Sequence, residues 1–131
     1  MVAELNGVRI GTIICYDIRE PELSRHLCLE NRVHLLAHCG AYYRDESFYS
    51  WHSFVITRAL ENQIHVLSLN RAGRDFGHSI YCPPWVDERT PELHLGGAEE
   101  LCYIEVSVAA ITEARSAYPF LADRIGCYSL L

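Results

Sequence analysis

Lysine is absent from the 131 residues, so all 11 strongly basic side chains are arginines. Arginine holds its proton at any ordinary pH, and chemistry that needs a lysine amine cannot be run by these residues alone. A basic stripe is absent too. The arginines are evenly spread, acidic residues outnumber them 17 to 11, and the formal net charge is −6, which argues against a nucleic-acid partner. No apolar run is long enough to span a bilayer. Glu4, Asn6 and Arg9 interrupt the apolar stretch a signal peptide would need, so the expectation is a cytoplasmic protein with no membrane partner. No CxxC pair occurs either. Cys15, Cys28, Cys39, Cys82, Cys102 and Cys127 are widely spaced in a chain of regular patterning, unlike a small disulfide scaffold, and are expected to be reduced and mostly buried. His34 and His38 stand four apart on an expected strand, where that spacing does not converge two rings on a metal. No metal and no cofactor is expected.

Half of the chain is apolar, enough for the core of one domain. Met1–Leu5 reads as a strand turning at Asn6-Gly7 into a buried strand over Val8–Cys15. Glu20-Pro21-Glu22 opens a helix with proline in its first turn, its apolar side carried by Leu23, His26 and Leu27. A buried strand over Val33–Ala37 follows, then a loop around Gly40–Ser50. Ser50 would cap a helix over Trp51–Asn62 with Trp51, Phe54, Val55 and Arg58 on one face. Strands are expected over Ile64–Leu69, Ser79–Cys82 and Glu100–Val106, with a turn-rich link at Thr90–Gly97. Ser107 caps a last helix over Val108–Ala117, and the tail from Pro119 is expected to lie across a neighbouring element. Early alternation of strand and helix with a later meander predicts a layered α/β fold.

The most informative stretch is Gly11-Thr12-Ile13-Ile14-Cys15-Tyr16-Asp17, a cysteine ending an apolar run just before a turn into a helix. A thiolate there gains from nearby helix N–H groups and could act as a nucleophile, with the Tyr16 backbone N–H holding an oxyanion. The competing reading is an inert cysteine at the end of a core strand. Asp17 and Glu22 fit best as acidic residues favourable to the helix dipole. Arg58 and Glu61, three apart on a helix, can pair, and Asn70 is a turn residue or a pocket liner.

Gly11-x-x-Ile14-Cys15-Tyr16-Asp17-x-Arg19-x-Pro21-Glu22-Leu23, then Arg58-Ala59-x-Glu61-Asn62, Asn70-x-x-Gly73 and Asp123-Arg124 with Tyr128, occur in that order over nearly the whole chain. Together they resemble the nitrilase, or carbon–nitrogen hydrolase, superfamily. The resemblance implies half of a four-layer α-β-β-α sandwich, a mixed sheet with flanking helices. It makes residues 1–131 the C-terminal part of a domain about twice as long, with the N-terminal half absent. Family members open a small amide or nitrile through a cysteine thioester, using a glutamate base and a lysine. Only the cysteine is matched here, by Cys15. The resemblance makes Arg58, Glu61 and Asn70 bracing residues near the site and favours a homo-oligomer. Glu20 departs from a common aromatic position. Ala37-His38-Cys39-Gly40 departs from the usual proline- and tryptophan-containing turn that helps to shape the substrate pocket. The resemblance thus leaves two expectations. One is a fragment of a longer hydrolase, or one of two pieces that assemble, with Cys15 as nucleophile; the other is a catalytically inactive chain acting as an interaction module.

Overall fold

A computed structural model describes residues 1–127. The hairpin forms where the sequence places it, between β1 (Val2–Leu5) and β2 (Val8–Ile14). Its two turn residues have φ of 50° at Asn6 and 80° at Gly7, the left-handed pair whose twist matches antiparallel strands. β3 (Leu35–Gly40) and β4 (His65–Asn70) run parallel to β2, reached through α1 (Pro21–Leu29) and α2 (Phe48–Asn62). β5 (Ile80–Cys82) and β6 (Leu93–His94) add antiparallel strands, completing a six-stranded mixed sheet in chain order. α3 (Val108–Ala117) follows. Among the described residues no helix is long and apolar enough to cross a membrane.

Strand alternation sorts the side chains onto two faces. Ile13, Leu36, Val66 and Ile80 share one face and are buried against α1 and α2, where Leu27, Trp51, Val55 and Ala59 close the core. The opposite face presents Ile14, Cys39 and Leu69 in one row and Thr12, Ala37 and Leu67 in the next. That face is only partly covered: Leu35 and His65 are buried at one end, where His65 Nε2 meets Ser107 at the start of α3, whereas Ile14 is 68% and Leu69 42% exposed. β2, expected to be buried, is therefore buried on one side only.

Other expectations are corrected as well. α2 starts at Phe48 rather than Trp51, because Asp45 Oδ1 accepts from both the N–H and the hydroxyl of Ser47 and turns the chain a helical turn earlier. Ser50 sits inside the helix, its hydroxyl donating to the Ser47 carbonyl. The Thr90–Gly97 link contains β6, which exists by pairing with β5, whereas Glu100–Val106 alternates like a strand but forms no ladder. His26 lies on the exposed side of α1, and Ser24 and Cys28 take the buried positions. The strand expected at Val33–Ala37 runs instead over Leu35–Gly40.

α3 forms as read, Ser107 Oγ accepting from the Ala110 N–H at 3.2 Å. It docks at the end of α2, where Gln63 adopts φ 49° and donates its side-chain amide to the Ala114 and Tyr118 carbonyls. In the segment that follows, Tyr118 stacks on Trp85 with ring centroids 3.9 Å apart, and Leu121 packs against the core. Tyr128 lies outside the described residues.

Candidate active site

The parallel register brings the carboxyl ends of three strands to one edge: Cys15 follows β2, Gly40 ends β3 and Asn70 ends β4. Such edges are where α/β sheets offer loops and helix starts to a ligand. Cys15 is exposed and opens a 3₁₀ turn over Cys15–Arg19 with φ of 49°. A side chain other than glycine held there costs about 1–3 kcal/mol, so the surroundings must impose it. Asp17 Oδ2 accepts the Ile14 N–H at 2.9 Å and the Asp17 carbonyl accepts the Glu20 N–H at 3.1 Å, closing the turn on both sides of the cysteine. Asp17 thus acts within the turn itself.

Arg58, 4% exposed, reaches from α2 to the same turn. Its Nε donates to the Ile18 carbonyl at 2.9 Å, Nη2 to the Arg19 carbonyl at 3.4 Å, and Nη1 to Glu61 Oε1 at 2.6 Å. Arg19 in turn lies over the Tyr16 ring at 5.2 Å. Asn70 lines a cavity together with Leu69, Gly77 and Glu100, but its side-chain amide is taken up by the chain itself. Its side chain accepts the Tyr42 N–H at 2.7 Å and donates to the Tyr42 and Gly77 carbonyls, each at 2.9 Å. Arg58 and Glu61 hold the turn after Cys15, while Asn70 ties down the loop beyond β3.

Sequence reasoning missed the groups closest to Cys15. The Cys15 carbonyl accepts two hydrogen bonds, from His38 Nε2 at 3.0 Å and from the Tyr42 hydroxyl at 2.8 Å. A carbonyl only accepts, so Nε2 carries the proton and Nδ1 of the neutral ring accepts from the Ser68 hydroxyl at 2.6 Å. Ser68 Oγ in turn accepts from Trp51 Nε1 at 2.9 Å, completing a buried chain from indole to serine to imidazole to the cysteine carbonyl. The available signal was Leu36 and His38 on one face of a strand: an inward-facing histidine needs a partner.

The cysteines separate by environment. Burial pushes the Cys82 thiol up to about 12, with Glu92 adding, and raises Cys28 as well, which makes both poor nucleophiles. Cys39, Cys102 and Cys127 are exposed, which corrects the expectation of mostly buried thiols; Cys39 emerges on the open sheet face. Among the described residues, no group of three or more His, Cys, Asp or Glu is placed to hold a metal ion.

Burial lowers the pKa of His38, His52 and His65 below the ordinary 6.5. Between those folded values and 6.5 the unfolded chain binds more protons than the native one, so stability is full above 6.5 and is lost as pH falls through that window. Urea midpoints are expected to drop on crossing from neutral to mildly acidic pH. A midpoint that is flat across that range contradicts the assignment of these rings as buried and neutral.

The model of the carbon–nitrogen hydrolase family matches residues 1–116. The 2-oxoglutaramate amidase of Bacillus subtilis is 32% identical over 127 residues, which is 92% of this chain and 46% of that protein. The crystal structure of Saccharomyces cerevisiae Nit3, from branch 10 of the nitrilase superfamily, superposes with a TM-score of 0.78 at 27% identity, covering 91% of this chain and 45% of that one. An amidase from Nesterenkonia sp. AN1, solved with the acetamide moiety of fluoroacetamide on its active-site cysteine, matches with a TM-score of 0.62 at 25% identity over 75% of this chain and 37% of its own. The chain thus spans about half or less of the length of these relatives. The α/β layers and mixed sheet agree with that fold, and with the match running through the Cys15 turn and both parallel crossovers, the chain belongs to the carbon–nitrogen hydrolase family.

Proposed function

We propose that this chain supplies the cysteine nucleophile and the turn that holds it to a carbon–nitrogen hydrolase acting on a small amide. The Cys15 thiolate attacks the amide carbon, and the tetrahedral oxyanion is held by the Tyr16 N–H. Ammonia leaves with a proton from a general acid, a thioester remains on Cys15, and water then releases the carboxylate. The observation that carries this reading is the strained, exposed Cys15 at the carboxyl edge of the parallel strands. The covalent adduct on the Nesterenkonia cysteine and the amidase names among the relatives support an amide over a nitrile. A glutamate base and a lysine come, on this reading, from a segment outside the 131 residues that packs on the open sheet face, since this chain has no lysine. The test is ammonia release from 2-oxoglutaramate and simple amides by the polypeptide isolated from its source cells, with its intact mass measured alongside. Turnover by a polypeptide longer than 131 residues supports the reading. Absence of turnover from such a longer polypeptide sinks it.

The open face favours a second reading, an inactive interaction module. Ile14, Leu69 and Leu101, the last 82% exposed, are the kind of apolar surface that drives association. On that reading the isolated chain self-associates at micromolar concentration. Sedimentation showing a monomer, together with sharp cooperative unfolding, counts against it.

A further inference from the structure

We infer that His38 and Tyr42 are positioning residues for the reaction, fixing and polarising the Tyr16 N–H through the Cys15 carbonyl. This inference rests on Cys15 being the nucleophile. The Cys15 oxygen and the Tyr16 N–H are opposite ends of one planar trans peptide and point in opposite directions. Two donors that hold the oxygen toward the buried layer therefore aim the N–H away from it, toward the exposed side of the turn. That N–H lies in the first turn of a helix, where the turn itself offers no acceptor. Donors on a carbonyl also draw electron density from its amide and make the N–H a stronger donor.

The surroundings keep both groups in the donor state and in place. His38 is fully buried, and its burial lowers its pKa, so the ring stays neutral with Nε2 as the only proton-bearing nitrogen. Burial, with the nearby Cys15 charge, pushes the Tyr42 hydroxyl up to about 12 and keeps it protonated. The Tyr42 ring stacks on Trp51 at 4.6 Å with the planes 6° apart, so a single indole orients both donors: Tyr42 by stacking and His38 through Ser68. Gly40 leaves room for this, since a Cβ there would lie 2.6 Å from the Tyr42 ring. Neither donor comes from the turn it grips. Both belong to the segment Ala37-His38-Cys39-Gly40-Ala41-Tyr42, at the end of the neighbouring strand.

Two reactions at the same thiol test the inference. Iodoacetamide alkylates sulfur by displacing iodide at a tetrahedral carbon and builds no oxyanion. Acetylation by p-nitrophenyl acetate forms an S–C bond through a tetrahedral oxyanion, after which the C–O bond breaks and p-nitrophenolate leaves with the electron pair. Both are followed at Cys15 by peptide mass on the full chain. Tyr42→Phe, which removes one oxygen, is expected to slow acetylation about tenfold while alkylation stays within about twofold. His38→Leu is expected to do the same, and His38→Gln, which keeps an N–H near the Nε2 position, to recover most of the rate. Equal slowing of both reactions would mean that the pair acts only on access to the thiol, and overturns the inference. So does unchanged acetylation in Tyr42→Phe, which carries the test alone if His38→Leu does not fold. A wild-type Cys15 that alkylates readily but takes no acetyl group also overturns it. Failure of the underlying reading looks different: Cys15→Ala would then take up acetyl groups at the wild-type rate through another thiol.

Discussion

On the proposed reading, replacing Cys15 by alanine is expected to reduce amide hydrolysis by the complete protein about a thousandfold or more, because the thioester loses its sulfur. The fold should survive. The cysteine is exposed, and the turn is held by Asp17, by the donors on the Cys15 carbonyl and by Arg58, all of which act on the backbone or lie outside residue 15. Ammonia release and a thermal melt on the same sample separate the two effects. Cys39→Ala is the matched control. Cys39 is also exposed and lies one strand over, paired in register with Ile14, but it stands within β3 rather than at the strained turn. Its loss is expected to change turnover by no more than about twofold, as for a surface substitution away from the chemistry. Residual hydrolysis above a tenth of wild type in Cys15→Ala, with the fold intact, would falsify the assignment of the nucleophile.

Features encoded locally were legible in the sequence, and features made by distant pairing were not. Asn6-Gly7 and Ser107 carry their own conformational instructions, and both the hairpin and the cap of α3 form as read. Ser50 looked like an equally good cap, but Asp45 and Ser47 settle the start of α2 between themselves three residues earlier. β6 is two residues long and has no pattern of its own; β5 defines it. The same division runs through the site. Cys15, with its apolar run and following helix, stands out in one dimension. His38 and Tyr42 reach Cys15 across 23 and 27 positions, and His38 meets Ser68 across 30, so no local spacing reveals the network. The resemblance implies a sheet face uncovered by the absent half, but which residues line it was not legible. β2 reads as an apolar strand whichever side is covered, and only the placement of α1 and α2 shows which side leaves Ile14 and Leu69 exposed.

Arg58→Ala is expected to cost about 3 kcal/mol of stability, near the lower end for breaking a buried charged network, because Glu61 keeps some contact with water. Arg58→Lys should recover little of this. The guanidinium serves three separate acceptors with three nitrogens, Nε on Ile18, Nη2 on Arg19 and Nη1 on Glu61, and a lysine ammonium is a single point that cannot span them. The loss is also expected to be uneven along the chain. The Ile18 and Arg19 carbonyls belong to the turn that holds Cys15 in its left-handed conformation, so removing their donor should loosen that turn before it loosens the sheet. Denaturant midpoints measure the first effect and amide exchange over Cys15–Glu20 measures the second. A variant within about 1 kcal/mol of wild type, with unchanged exchange in the turn, would show that Asp17 and the two donors on the Cys15 carbonyl suffice, and that Arg58 serves only its own desolvation. The expected result places the reach of α2 into the turn among the reasons a cysteine can be kept strained and exposed at the end of β2. An exposed thiol by itself has no cause to adopt φ of 49°; the turn around it is held by Asp17, by the two donors on the Cys15 carbonyl, and by a buried arginine on another element that fixes the carbonyls three and four residues after it.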